Sequence, residues 1–122
     1  MIDLSILIVN WNTREFTQGC LSSLLSTSDR LENGRLVFER LQAEVIVVDN
    51  GSHDGSAALI REEFPWATLI QNDQNLGFAP ANNQAYRISS GRYLLLLNSD
   101  TRVQDGALQA LVDFMDAHPD CG

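Results

Sequence analysis

Four short apolar runs alternate with longer amphipathic segments, and this alternation narrows the fold more than any other feature of the chain. The runs cover residues 4–9, 44–48, 67–71 and 93–97. They are rich in Val, Ile and Leu and nearly continuous in hydrophobicity, which is the pattern of strands buried on both faces of a parallel sheet. Between the first two, residues 14–27 place Phe16, Cys20, Leu21, Leu24 and Leu25 on one helical face. Ser52 or Asp54 can cap a second helix that runs to about Phe64 and is stopped by Pro65. Pro80 suits the first turn of a third helix reaching about Ser90, and residues 106–117 form a last helix before Pro119. Residues 28–34 are polar and end in the turn pair Asn33-Gly34, after which 35–42 is expected to be a short helix. The order β-α-β-α-β-α-β-α predicts one α/β domain, a Rossmann-like three-layer α/β/α fold with a mostly parallel sheet covered on both faces.

Composition removes several function classes. The net charge of −8 disfavours nucleic acid as a partner, because phosphate backbones demand a basic surface. All eight cationic residues are arginine, so Schiff-base chemistry and a Walker A lysine are excluded within these residues. Cys20 and Cys121 lack any CxxC spacing and read as free thiols. No apolar run approaches the ~20 residues of a membrane-spanning helix. The opening residues 1–12 lack a basic start and a small-residue cleavage site, so a cytoplasmic location is expected.

Ligands of open parallel sheets sit beyond the carboxyl ends of the strands. Each apolar run here exits into a polar loop: Asn10-Trp11-Asn12, then Asp49-Asn50-Gly51-Ser52-His53-Asp54, then Asn72-Asp73-Gln74-Asn75-Leu76-Gly77-Phe78, then Asn98-Ser99-Asp100. Asn and Asp favour turns anyway, but four such loops on one sheet edge point to a site. Asp49 can accept hydrogen bonds from a ligand or satisfy its own loop amides. Asp100, anchored by four leucines, can hold a divalent cation with phosphate oxygens completing the shell, or cap the following turn. Trp11 can cover a base or belong to the core. His53 and His118 lack ligand spacing and read as surface residues; Asp113, Asp116 and Asp120 read as a solvated face and tail.

Together the stretches SILIVNWN (5–12), VIVVDNGSHDGS (45–56), NLGFAPANN (75–83) and GRYLLLLNSDTRV (91–103) resemble the family 2, GT-A-type glycosyltransferases, particularly their rhamnosyltransferase-like branch. The resemblance spans nearly the whole chain. It implies a nucleotide-diphospho-sugar ligand, UDP- or dTDP-linked, and a divalent cation, Mg²⁺ or Mn²⁺. It implies that Asn10 and Asn12 line the nucleotide pocket. Asp49 would bond the base, and Asn50 would support that loop. Asn75, Gly77 and Asn83 would shape the wall near ribose and diphosphate. Asn98 would reach the ribose, and Asp100, in the DXD position, would bind the cation.

Three departures stand out. Asn98 replaces the first acidic residue of DXD and removes one charge from the metal position. Asn82 stands where many relatives carry a basic residue. Residues 31–42 look like an insertion. The resemblance also implies inverting transfer to a hydroxyl acceptor, in cell-surface polysaccharide or glycan synthesis, with peripheral membrane association of the full-length protein. In the family the catalytic base lies beyond the DXD region, so the chain is expected to be truncated after the DXD-region helix, to lack the acceptor-binding half, and to hold no catalytic residue of its own. Residues 93–97 are then expected to be an open apolar edge that self-associates.

Rival readings fit less well. A receiver domain needs an acidic pair after the first strand and a later lysine. A sugar-phosphate nucleotidyltransferase needs a Gly-rich basic loop there, and a dinucleotide oxidoreductase needs GxGxxG. A nucleotide-binding module without turnover remains the non-enzymatic alternative.

Overall fold

The first strand, β1 (Leu4–Asn10), runs through the middle of a six-stranded sheet. The computed structural model describes residues 1–120. After β1 the chain forms α1 (Arg14–Thr27), β2 (Arg30–Glu32), β3 (Arg35–Phe38), β4 (Leu41–Asn50), α2 (Ser56–Glu63), β5 (Thr68–Asn72), α3 (Phe78–Ile88), β6 (Tyr93–Leu97) and α4 (Ala107–Ala117). Cys121 lies outside the described residues.

β1 pairs in parallel with β4 on one side and β6 on the other. β4 is long enough to hold two partners along the same edge. Leu41–Ala43 pairs antiparallel with β3, and Ile46–Asn50 pairs parallel with β5. The α/β class and the mostly parallel sheet therefore match the sequence reading. The larger core cluster packs Cys20, Leu21 and Leu24 of α1, Leu59 and Ile60 of α2, and Leu108 and Val112 of α4 against Ile6, Ile8, Val45 and Val47. On the opposite face α3 brings Ala81 and Ala85 onto Leu7, Ile46 and Val48. Small alanines let α3 approach closely, which fixes the height of the loop leading into it. Ile6, Leu7 and Ile8 are each at most 1% exposed, and complete burial of such a side chain contributes about 1.5–3 kcal/mol.

Three expectations need correction. Residues 35–42 are not a helix. Asn33 and Gly34 both have positive φ (53° and 76°), the requirement of a type I′ turn, and they close a β2–β3 hairpin. A second tight turn at Glu39-Arg40 then leads into β4, with Phe38 opposite Leu41. The Asn-Gly pair outweighs the weak helical pattern because no one-sided apolar stripe opposes it. Next, α1 buries Cys20, Leu21 and Leu24 as expected but not the two ends of the expected stripe. Thr17 is buried, while Phe16 and Leu25 are exposed. Finally, the sheet is not covered on both faces throughout. α3 reaches β1 and β4 but leaves Leu94 and Leu96 of β6 at 44% and 55% exposure.

Neither Ser52 nor Asp54 is the N-cap of α2, which is Gly55 with φ of 82°, but Asp54 just before it bonds the first helical residue. Its carboxylate accepts from the Ser56 amide at 3.0 Å and from the Ser56 hydroxyl, while Arg14 N donates to its other oxygen at 3.0 Å. Partial burial disfavours its charge, but these bonds together outweigh that and hold its pKa below the usual carboxylate value.

Candidate functional site

Parallel pairing brings the ends of β1, β4, β5 and β6 to one side of the sheet. Asn10 lies opposite Asp49, and Asn50 opposite Asn72, while β6 runs alongside β1 into Asn98. The four polar loops of the sequence reading therefore converge. Two hydrogen-bonded knots shape this end.

The first knot is centred on Asn10, which is fully buried. Its Nδ2 donates to Asp49 Oδ1 at 2.7 Å and to Ser52 Oγ at 3.1 Å. Its Oδ1 accepts from the hydroxyls of Thr13 at 2.8 Å and Thr17 at 2.6 Å. Asp49, 1% exposed, takes a further bond on Oδ2 from the Ser52 amide at 3.3 Å. Asn12, with φ of 52°, carries this knot to the surface. Its amide donates to Ser52 Oγ, and its Oδ1 accepts from the His53 amide, both at 2.9 Å. Its side-chain NH₂ group is left free of any partner among the described residues. The Asn10 and Asp49 side chains thus hold β1, α1 and β4 together, and Asn12 stands at the rim.

The second knot is centred on Asn50, 2% exposed. Its Nδ2 donates to Asn75 Oδ1 and to the Gly77 carbonyl, each at 3.1 Å. Its Oδ1 accepts from Asn72 Nδ2 at 3.1 Å and the Leu76 amide at 3.2 Å. Asn72 and Gln84 exchange two further amide bonds of 2.8 and 2.9 Å. This ladder folds residues 73–77 back onto the end of β4. The close backbone approach occurs at Gly51, where a Cβ would come within 2.7 Å of the Gln74 backbone and where φ is 79°. Gly77 needs glycine for its φ of 92°, not for space, since only Pro80 Cδ lies near.

Between the knots a cleft of about 250 Å³ is lined by Val9, Trp11, Thr13, Asn50, Asn75, Phe78 and Ser99. A second depression shares Val9, Thr13, Phe78 and Ser99 and extends to Phe16, Asn98 and Asp100. The two form one groove, apolar and aromatic along its length and polar at its ends. Trp11 and Phe78, 51% and 60% exposed, belong to the groove and not to the core. Asn98 and Asp100 are exposed, and among the described residues no side chain donates to the Asp100 carboxylate. Asn83 is exposed on α3 and lines neither part of the groove. Its neighbour Asn82 is 9% exposed and donates to the Phe78 carbonyl at 3.2 Å. Sequence reasoning missed Thr17 and Gln84, and placed Asn72 and Ser52 in the polar loops without giving either a role in binding.

Among the described residues no group of three His, Cys, Asp or Glu side chains is placed to hold a metal ion. A hard divalent cation often needs only one or two carboxylates when phosphate supplies other oxygens. Asp100, unpaired at the groove's lip, suits that second kind of site.

A family model described as glycosyl transferase family 2 matches residues 5–122. The chain is 28% identical over 124 residues to poly-beta-1,6-N-acetyl-D-glucosamine synthase of Staphylococcus epidermidis, covering 98% of this chain and 27% of that protein. Its fold superposes on S. aureus TarS 1–349 in complex with UDP-GlcNAc with a TM-score of 0.76 and 22% identity, over 97% of this chain and 32% of that one. It also superposes on a mannosyltransferase from Pyrobaculum calidifontis in complex with GDP-Man and Mn²⁺, with a TM-score of 0.75 and 22% identity, over 92% and 32% respectively. The chain therefore spans about a third or less of the length of each of these proteins.

Proposed function

This chain belongs to glycosyl transferase family 2, and on that premise we propose that it is the donor-binding part of an enzyme that transfers a sugar from a nucleoside diphosphate to a hydroxyl acceptor with inversion. The observation that carries the reading is the single groove into which all four strand-end loops open, with a free carboxylate at one end. Trp11 and Asn75 line the groove and offer an aromatic face and an amide suited to a base and ribose, and Asn12 stands at the rim beside Ser52 and His53. Asn98 and Asp100 stand where a diphosphate would end. A Mg²⁺ or Mn²⁺ ion held by Asp100 would neutralise charge on the departing diphosphate. With a net charge of −8 the chain has particular need of that cation to accept a polyanion.

Asp100 is the one carboxylate lining the groove among the described residues. Asp105 lies in a separate depression with Thr27, Phe38 and Gly106. The base that deprotonates the acceptor is accordingly assigned to a part of the enzyme beyond these residues. The relative named as a polysaccharide synthase supports a role in cell-surface polysaccharide formation. The rhamnosyltransferase-like motifs support a UDP- or dTDP-linked donor. No helix among the described residues is long and apolar enough to cross a membrane, and we place the enzyme at the cytoplasmic face.

Binding tests the reading directly. UDP or dTDP with MnCl₂ should raise the melting temperature, by the mass-action term that applies to any ligand of the folded state. Neither nucleotide nor Mn²⁺ alone should match the pair. Unchanged melting with every combination would sink the donor-site reading. Release of free sugar from a UDP- or dTDP-sugar would separate an enzyme from a module that only binds.

We further propose that β6 pairs with the β6 of a second copy. Among the described residues the strand is an outer edge of the sheet and carries the exposed Leu94 and Leu96, and such an edge is a template for strand addition. Sedimentation equilibrium should show a concentration-dependent dimer that Leu96→Lys abolishes. A monomer across the whole concentration range would refute it.

A further inference from the structure

Gly19 lies in the interior of α1, where glycine is a poor choice for helix formation. A Cβ at this position would overlap the guanidinium of Arg102, which lies across the helix there. The neighbouring positions show why. Phe16, Gly19, Cys20 and Ser23 are spaced i, i+3, i+4 and i+7 and so form one stripe along α1. All four meet the loop that follows β6. Arg102 Nη1 donates to the Phe16 carbonyl at 3.3 Å. The Cys20 thiol approaches the Asn98 carbonyl at 4.0 Å, and the Val103 amide donates to Ser23 Oγ at 2.9 Å. Residues 98–103 are therefore laid along the helix and tied at both ends, with Arg102 seated in the gap left at position 19. The Cys20 thiol senses both charges of the loop. Burial pushes its pKa up to about 11, while Arg102 opposes that rise and Asp100 adds to it.

We propose that Gly19 and Arg102 are positioning residues that set where Asp100 presents its carboxylate to the cation. The proposal rests on the donor-site reading above and adds the device that aims its metal ligand. Asp100 is exposed and makes no side-chain hydrogen bond among the described residues, so its position comes from the backbone of its loop. That backbone takes its place from α1. A cation to which the described residues offer one carboxylate is sensitive to that placement. Arg102 Nη1 is shared between the carbonyls of Phe16 and Thr101, the latter at 3.4 Å. In this proposal it acts by holding the loop against α1.

Three variants of the chain test this: Gly19→Ala, Arg102→Ala and the double substitution. Calorimetry would measure UDP affinity with and without MnCl₂, alongside the melting temperature. Each single variant should lose about tenfold of the Mn²⁺-dependent affinity, the scale seen when a residue supporting a metal ligand is removed. The double variant should lose no more than Arg102→Ala, since both changes break one contact. Metal-free UDP affinity should stay at the wild-type value. Gly19→Ala should melt no lower than wild type, because alanine favours the helix; a merely structural role would lower melting and binding together. Wild-type affinity in Gly19→Ala, or fully additive losses, would overturn the positioning role alone. Loss of metal-free affinity in Arg102→Ala would also overturn it and would make the arginine a direct diphosphate contact. Absence of any Mn²⁺-dependent UDP binding by the wild type would remove the donor-site reading and this proposal with it.

Discussion

Asn10→Ala should destabilise the chain by about 3 kcal/mol, the largest effect expected of any polar substitution at the strand ends. Asn10 is fully buried and makes four side-chain hydrogen bonds. Alanine removes all four and leaves the Thr17 hydroxyl and the Asp49 carboxylate without their buried partner. Each stranded group costs about 1–3 kcal/mol, more for a charge. Asp49 is affected most, because at 1% exposure it cannot turn to water and keeps only the Ser52 amide. For a domain of this size the loss corresponds to a fall in melting temperature of roughly 10 °C. Urea denaturation with the slope held common to both proteins measures it. A loss under about 1 kcal/mol would mean that water or a relaxed loop replaces the amide. Asn10→Asp should be worse still, since it sets a second carboxylate against Asp49.

Asp100→Ala should have the opposite profile. The residue is exposed and has no side-chain partner among the described residues, so the free protein should melt within about 2 °C of wild type. Mn²⁺-dependent binding of UDP or dTDP should fall by at least about a hundredfold, because the cation loses its one protein carboxylate. Asp100→Asn separates charge from shape. It keeps the size and one oxygen, and should recover little of the affinity if the charge is what holds the metal. Undiminished Mn²⁺-dependent binding in both variants would move the metal site away from Asp100.

These two residues mark what the sequence can and cannot reveal. The strands were legible because four apolar runs of buried-strand length recur between helical patterns, and the converging loops followed from parallel pairing alone. The family motifs gave Asn10 and Asp49 to the ligand pocket and Asn50 to the support of its loop. In the structure Asn10 and Asp49 bond each other and Asn50 bonds residues 72–77, pairs that lie 22 to 39 residues apart in sequence. Such reciprocal bonds leave no local signature, because the spacing depends on how much chain the crossovers consume. Thr17 was hidden for a related reason. It sits seven residues beyond Asn10, in the first turn of a helix whose apolar stripe pointed to Phe16 instead. The β2–β3 hairpin carried its signal in Asn33-Gly34, but the following residues matched neither period well. The bare face of β6 was illegible, because a leucine run reads alike whether or not a helix covers it.

The double pairing of β4 has a consequence for variation in this fold. One continuous strand takes the hairpin at Leu41–Ala43 and β5 at Ile46–Asn50. Seven residues of rise, roughly 23 Å, separate Ala43 from Asn50. The strand thus works as a spacer with two independent ports. Residues exchanged or added at the Asn33-Gly34 tip would lengthen the sheet at one port without altering the register at the other. The hairpin is where this chain can diversify freely, and a peptide tag grafted there would report on the molecule without touching the groove.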